Sequence, residues 1–287
     1  MEKRDFLKVI SSGIASVSVG AVGLRSAWAR SYVLPPTSPP KLRNQDLDIY
    51  LNKVRKFNKN HIDDIYLDNH QFKILSRIMR RFHRIQSLVG FGNFYLLDFD
   101  DAIKYAHRYT SVGMFTMSEL NFLEMIFYEQ ASDYGFYGEK PIKNLTDRIP
   151  RQKVGKIPGT GNYLYKGRPL ETYHKIKKAL GDDVELTSGV RSVTKQFLLF
   201  LNKTYNSKGN LSRASRSLAP PGYSFHGISD FDVGQRGFGL YNFTEEFIAT
   251  NVFKRLRDMG YLSLRYPRDN MLGVRFEPWH VKVNNRA

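Results

Sequence analysis

The 287-residue sequence predicts an α+β fold, and three observations lead there. Apolar residues recur at three- and four-residue steps through the first half, and short alternating runs appear only in the second. A hydrophobic content of 41%, with 14% aromatics, provides the material for a core.

The elements follow in order. Phe72, Leu75, Ile78, Met79, Phe82 and Ile85 lie on one face of a helix, as do Leu120, Leu123, Ile126 and Phe127, so residues 44–150 form a helical N-terminal region. The turn-rich stretch Lys156-Ile-Pro-Gly-Thr-Gly-Asn162 marks a change of texture, and residues 151–287 read as a second domain of mixed character. There, Leu170, Tyr173, Ile176, Lys177 and Leu180 fit a helix ended by Gly181. Val184 and Leu186 fit a short strand, and Phe197, Leu198, Leu201 and Tyr205 another helix. Asn242-Phe-Thr-Glu245 opens a longer helix to about Met259, with Phe247, Ile248, Val252 and Leu256 inward and Gly260 as its stop. Val274 to Val283 alternates like a strand. There is no internal repeat.

Ahead of these elements, residues 1–29 have the anatomy of an export signal: Lys3, Arg4 and Lys8, a mildly apolar run from Val9 to Leu24, and Ala27-Trp28-Ala29 before the expected cleavage. Lys3-Arg4-Asp5-Phe6-Leu7-Lys8 resembles the twin-arginine signal, with Lys3 in place of the first arginine. The apolar run is short for a membrane span of roughly 20 residues, so no span is expected after cleavage. Residues 30–43 form a proline-rich linker, because Leu34-Pro-Pro-Thr-Ser-Pro-Pro40 fixes φ and removes backbone donors. The expected location is the periplasm or cell envelope of a bacterium.

The absence of cysteine excludes disulfides, thiolate catalysis and Cys-ligated zinc. The formal charge of +17, about +15 after signal removal, favours anionic surroundings. The basic residues are scattered and match no nucleic-acid motif, so envelope surfaces are the expected partners and nucleic acid is not. Arg213 and Arg216, in the loop from Asn210 to Leu218, suit either an acidic peptide or solvent.

Any metal must therefore sit on His, Asp or Glu. His61, His70, His83 and His107 fall in no tight cluster and are expected to be solvated or packed. The stretch from Pro220 to Gly234, PPGYSFHGISDFDVG, is different: with His280 it offers His226, either Asp230 or Asp232, and His280 to a zinc ion. Strand periodicity puts both aspartates on one face and does not choose between them. In Glu277-Pro-Trp-His280 a carboxylate precedes a histidine by three residues, the arrangement in which His280 binds metal while Glu277 takes a proton from water. Strict strand alternation would aim these two apart, so Pro278 is expected to break it.

Three motifs in order then carry a family resemblance. Ser188-Gly-Val-Arg191-Ser192 followed by Gln196 resembles SGYRS with its Gln, Ser224-Phe-His226 through Asp232 resembles SxHxxGxAxD, and Glu277-Pro-Trp-His280 matches ExWH. Over about residues 160 to 283 the chain resembles the zinc D-Ala-D-Ala carboxypeptidases and dipeptidases of the VanY and VanX type. That resemblance implies a C-terminal Hedgehog/DD-peptidase-like zinc domain, and the helical N-terminal subdomain that precedes it lies outside the resemblance. It implies His226, Asp232 and His280 as zinc ligands, Glu277 as general base and Arg191 as the cation for the developing oxyanion. Ser192, Gln196 and Ser224 are the candidate substrate contacts. One departure is that His226 and Asp232 are six residues apart where the pattern has seven, and Ser229 stands where a glycine is expected. A one-residue deletion in the turn leaves Asp232 as the ligand with Asp230 at the usual alanine position; the alternative makes Asp230 the ligand.

The activity implied is that of a zinc metallopeptidase acting on a D-amino-acid-containing bond of peptidoglycan stem peptides, above all as a D-alanyl-D-alanine carboxypeptidase. A dipeptidase, a stem-peptide endopeptidase and a non-hydrolytic zinc-containing cell-wall binding module are the alternatives. Docking of the helical region to an envelope partner is a further one.

Overall fold

A computed structural model describes residues 44–283; the expected export signal, residues 1–29, and linker, residues 30–43, lie outside them. Helix α1 spans Asn44–Arg55. Helix α2, Asn69–Val89, begins at a capping box in which Asp68 accepts from the Gln71 amide at 2.7 Å and Gln71 accepts from the Asp68 amide at 3.1 Å. It buries Ile74, Leu75, Ile78, Phe82 and Ile85, close to the face that periodicity selects. The short α3, Phe91–Phe94, and α4, Phe99–Arg108, follow. Helix α5, Met117–Tyr128, is capped by Thr116 and buries Leu120, Leu123, Ile126 and Phe127.

Strands β1, Val154–Lys156, and β2, Tyr163–Tyr165, form an antiparallel hairpin around the turn-rich loop. Helix α6, Arg168–Leu180, leads into β3, Val184–Ser188, then α7, Val193–Asn206, and α8, Leu211–Ser215. Strand β4, Phe231–Gln235, is the middle of a three-stranded antiparallel sheet in the order β3-β4-β5, with β5 reduced to His280–Val281. Helix α9, Asn251–Asp258, precedes β5. One core cluster joins the sheet to α6 and α9 through Tyr173, Ile176, Val184, Leu186, Phe231, Val233, Phe247, Leu256 and Trp279.

The helical region meets the second half at α7. The fully buried Phe197 ring lies 6.3 Å from Phe82, 6.1 Å from Phe99 and 6.4 Å from Phe127, so three helices of the first half share a core with the helix after the first motif. A buried ion pair adds a polar clasp. Arg216 Nη1 lies 2.6 Å from Asp64 Oδ1, and Asn210 donates to Asp64 Oδ2 at 2.7 Å. Arg213 likewise points back to Asn60 at 3.3 Å. The basic loop of 210–218 thus spends both arginines on the helical region.

Two local expectations are corrected. The helix expected from Asn242 to Met259 is broken into 3₁₀ turns at Gly239–Phe243 and Glu245–Ala249 before α9. Thr250 makes the break. Its extended backbone ends the turn, and its hydroxyl donates to the Phe247 carbonyl at 2.7 Å while capping the Phe253 amide at 3.1 Å. The strand expected over Val274–Val283 survives only as β5. Its first part bonds elsewhere, Arg275 N to the Arg216 carbonyl at 2.9 Å and Glu277 N to the Tyr266 carbonyl at 3.1 Å, and Pro278 has no amide to donate.

Candidate metal centre

The sheet register assembles the site. Asp232 on β4 pairs directly with Ser188 on β3 and with His280 on β5, so one row across the sheet brings the three motifs together. His226 comes from the 3₁₀ turn Phe225–Gly227 just before β4, whose Gly227 carbonyl accepts the Tyr165 hydroxyl at 2.6 Å. At the end of β3, Gly189 passes so close to β2 that a Cβ there would lie 2.0 Å from the Tyr163 carbonyl oxygen. Only glycine fits, and this places its own carbonyl against His226.

The ring nitrogens are sorted by their partners. His226 Nδ1 lies 2.8 Å from the Gly189 carbonyl, which only accepts, so Nδ1 carries the hydrogen and Nε2 presents its lone pair. His280 Nε2 faces Asp230 at 3.1 Å, while its Nδ1 faces Glu277 at 3.2 Å and Asp232 at 3.6 Å. His226, Asp232 and His280 each offer one ligand atom, all within 4.8 Å of one another, and all three residues are buried. His226 Nε2 and Asp232 Oδ1 face each other at 3.2 Å without hydrogen-bond geometry, two buried polar atoms left without a partner. Two imidazole nitrogens and one carboxylate, buried and close together, fit the donor set of a hydrolytic zinc ion.

Asp230 is engaged on the other side. Its Oδ2 takes Arg265 Nε at 2.8 Å as well as His280, and its Oδ1 takes Arg265 Nη2 at 3.2 Å, the Val283 amide at 3.0 Å and the Ser229 hydroxyl at 3.1 Å. Arg265 stacks 3.5 Å over the Phe225 ring. Asp230 thus orients His280 from behind.

Electrostatics follow from this crowding. Burial alone would raise the Asp232 carboxyl, but His226 and Arg191 overcome it and hold it well below the usual carboxylate range. Burial would likewise raise Asp230, and His280 and Arg265 hold it low. His226 is pushed down by burial and by Arg191. Burial would lower His280, yet Asp230, Glu277 and Asp232 push it up to about 9.

A small cavity of about 30 Å³ opens over these groups, lined by Arg191, Gln196, Ser224, His226, Tyr266, Glu277 and His280, with Leu199, Leu218 and Ala219 as its apolar side. Arg191 is fixed by Ser188 Oγ at 2.9 Å and Asp232 Oδ2 at 2.7 Å. A turn with His280 N bonded to the Glu277 carbonyl at 3.2 Å brings Glu277 beside His280, which alternation would have prevented. Gln196 lines the cavity but spends its amide on the Arg191 carbonyl at 3.0 Å and the Gly222 amide at 2.8 Å. Ser192 does not line it; its hydroxyl caps α7 at the Lys195 amide. Arg265, Tyr266 and the apolar wall escape sequence reasoning, since a lone arginine or tyrosine has no spacing to mark it.

The family model for the VanY D-alanyl-D-alanine carboxypeptidase matches residues 168–285, which include all three motifs. The chain carries a VanY-like domain. No curated protein matches the sequence. Among solved structures, the LdcB LD-carboxypeptidase is 28% identical over 42% of this chain and 58% of its own, with a TM-score of 0.36. A VanY D,D-pentapeptidase mutant from a VanB-type vancomycin resistance cassette, in complex with Zn(II), is 26% identical over 46% of this chain and 80% of its own, at 0.36. VanYB in complex with D-alanine-D-alanine is 26% identical over 46% and 78%, also at 0.36. The chain thus spans 58% of the LdcB chain. Among the described residues, no helix is long and apolar enough to cross a membrane.

Proposed function

We propose that this protein is a zinc-dependent peptidase exported to the bacterial envelope, where it removes the terminal D-alanine from a peptidoglycan stem ending in D-Ala-D-Ala. The observation that carries this reading is the buried His226, Asp232 and His280 cluster facing Glu277 and Arg191 in one cavity, inside the segment that is VanY-like.

His226 Nε2, Asp232 Oδ1 and His280 Nδ1 would hold the ion. Bound there, zinc supplies a Lewis acid that brings the pKa of water down to about 7 and polarises a carbonyl. Glu277, at the cavity wall and 3.2 Å from His280, takes the proton of the attacking water and returns it to the amide nitrogen as the peptide bond breaks. Arg191 has Nε on Ser188 and Nη2 on Asp232, so its Nη1 remains to hold the developing oxyanion in fixed geometry. Asp232 keeps that guanidinium aimed. Ser224, with Leu199, Leu218 and Ala219, lines the same cavity and gives it an apolar side that suits a methyl side chain. No covalent acyl step is required.

The test is mass spectrometry of a muropeptide ending in D-Ala-D-Ala, incubated with the mature protein, with a chelated sample and with Glu277→Ala. Loss of one alanine, abolished by both controls, is expected. Release of the intact dipeptide or an internal cut would assign a dipeptidase or an endopeptidase instead. An unchanged peptide with zinc still bound would favour a binding module.

A further inference from the structure

A second and larger cavity, about 480 Å³, lies beside the first and is lined by Phe57, Ile248, Arg268, Arg275 and Phe276 together with the Thr244–Glu246 turn. Phe276 lines this groove and its sequence neighbour Glu277 lines the catalytic cavity, so the two share one stretch of chain as a wall. Phe57 comes from the helical region, outside the VanY-like segment. The groove's carboxylates are already engaged: Glu245 pairs with Arg268 at 2.6 Å, and Glu246 accepts from the Thr244 hydroxyl. Arg275 is not. Its guanidinium lies 4.7 Å from the Phe57 ring and 4.7 Å from the Trp279 ring, its Nε is buried without a partner, and among the described residues no carboxylate lies within ion-pair distance of it.

A guanidinium packed against two aromatic rings loses freedom to move, and the donors that have no protein partner suit the two oxygens of a carboxylate. We propose that this groove is a substrate subsite in which Arg275, clamped by Phe57 and Trp279, binds a free carboxylate of the peptide away from the scissile bond. The inference rests on the peptidase reading and names the substrate it prefers, a stem whose internal γ-linked glutamyl residue keeps its α-carboxylate. It also gives the helical region a part in recognition through Phe57.

The experiment compares two synthetic pentapeptides ending in D-Ala-D-Ala, identical except that the γ-linked glutamyl residue carries a carboxylate or a carboxamide. For the zinc-loaded wild type the carboxylate peptide should have a KM lower by ~10- to 100-fold, the range for a hydrogen bond to a charged group, with kcat unchanged. Arg275→Gln should raise KM for that peptide to the carboxamide level and leave the carboxamide peptide alone. Phe57→Leu should move KM in the same direction. Equal KM values in the wild type, or an Arg275→Gln effect equal on both peptides, would overturn the subsite. The wild-type comparison alone decides if Arg275→Gln does not fold. Should neither peptide be cleaved, calorimetry on zinc-loaded Glu277→Ala separates the two ideas. A carboxylate preference in binding keeps the subsite while the peptidase reading fails, and equal or absent binding overturns the subsite.

Discussion

Replacing Asp230 by alanine tests whether this residue orients a ligand or is one. The change removes the acceptor of His280 Nε2 and all partners of Arg265 in the bonds described, leaving a guanidinium whose side chain is only 14% exposed facing an empty space. Breaking a buried ion pair from one side costs ~3–5 kcal/mol of stability. Loss of the acceptor behind a metal-binding histidine lowers metal affinity by ~10- to 100-fold, because ring orientation and basicity are no longer fixed. The assays are urea unfolding and zinc affinity by competition with a chromogenic chelator. Adding Arg265→Leu to Asp230→Ala removes the stranded charge, so the double variant should regain much of the stability while zinc affinity stays low. Wild-type affinity in Asp230→Ala would refute the orienting role. A loss as large as that of His226→Ala would make Asp230 a ligand and displace Asp232.

Two further perturbations probe the frame. Phe197→Ala empties the point where α2, α4 and α5 meet α7, and should cost ~3–5 kcal/mol in urea unfolding; a loss under ~1 would mean the helical region does not share that core. At Asp64, burial would raise the carboxyl, but bonds from Arg216, Asn210 and the His61 amide outweigh it and bring it down to about 2. Because the folded value lies below the unfolded one of 3.8, the stabilisation is complete above about pH 5 and is lost as pH falls through 3.8 toward 2. Its size is ~1–2 kcal/mol once screening is allowed for. The stability gap between wild type and Asp64→Asn should therefore close between pH 5 and about 2; a gap independent of pH would show that Asp64 contributes through its shape alone.

Helices were legible where periodicity had little competition. The α2 face from Leu75 to Ile85 and the α5 face from Leu120 to Phe127 are buried as their spacing implies. Where local hydrogen bonding competes, pattern fails. The inward set Phe247, Val252 and Leu256 is buried as expected, yet Thr250 interrupts the helix because its hydroxyl serves the turn before it and the helix after it. The alternation of Val274 to Val283 fails for the same reason, since its backbone bonds to Arg216 and Tyr266, residues whose position no local rule predicts.

The two aspartates show where sequence stops for a physical reason. A strand from residue 228 would have aimed both at the same place, but β4 starts at Phe231, and the Asp230 amide is still bonded to the Phe225 carbonyl at 3.1 Å. Asp232 therefore enters the ladder opposite His280, while Asp230 is held by the turn and meets the same ring from its other nitrogen. The six-residue spacing from His226 accommodates both, and what separates them is Arg265, 35 residues further on, which neutralises Asp230 and leaves Asp232 Oδ1 as the carboxylate oxygen of the pair without a hydrogen-bond partner. In the proposed centre the candidate ligand is thus set apart as much by which atoms lack a partner as by which residues are present. If that is correct, Arg265→Leu alone should free a second carboxylate at the centre and weaken zinc selectivity against larger oxygen-seeking cations such as Ca²⁺, measured by competition; unchanged selectivity would show that Arg265 serves only the fold.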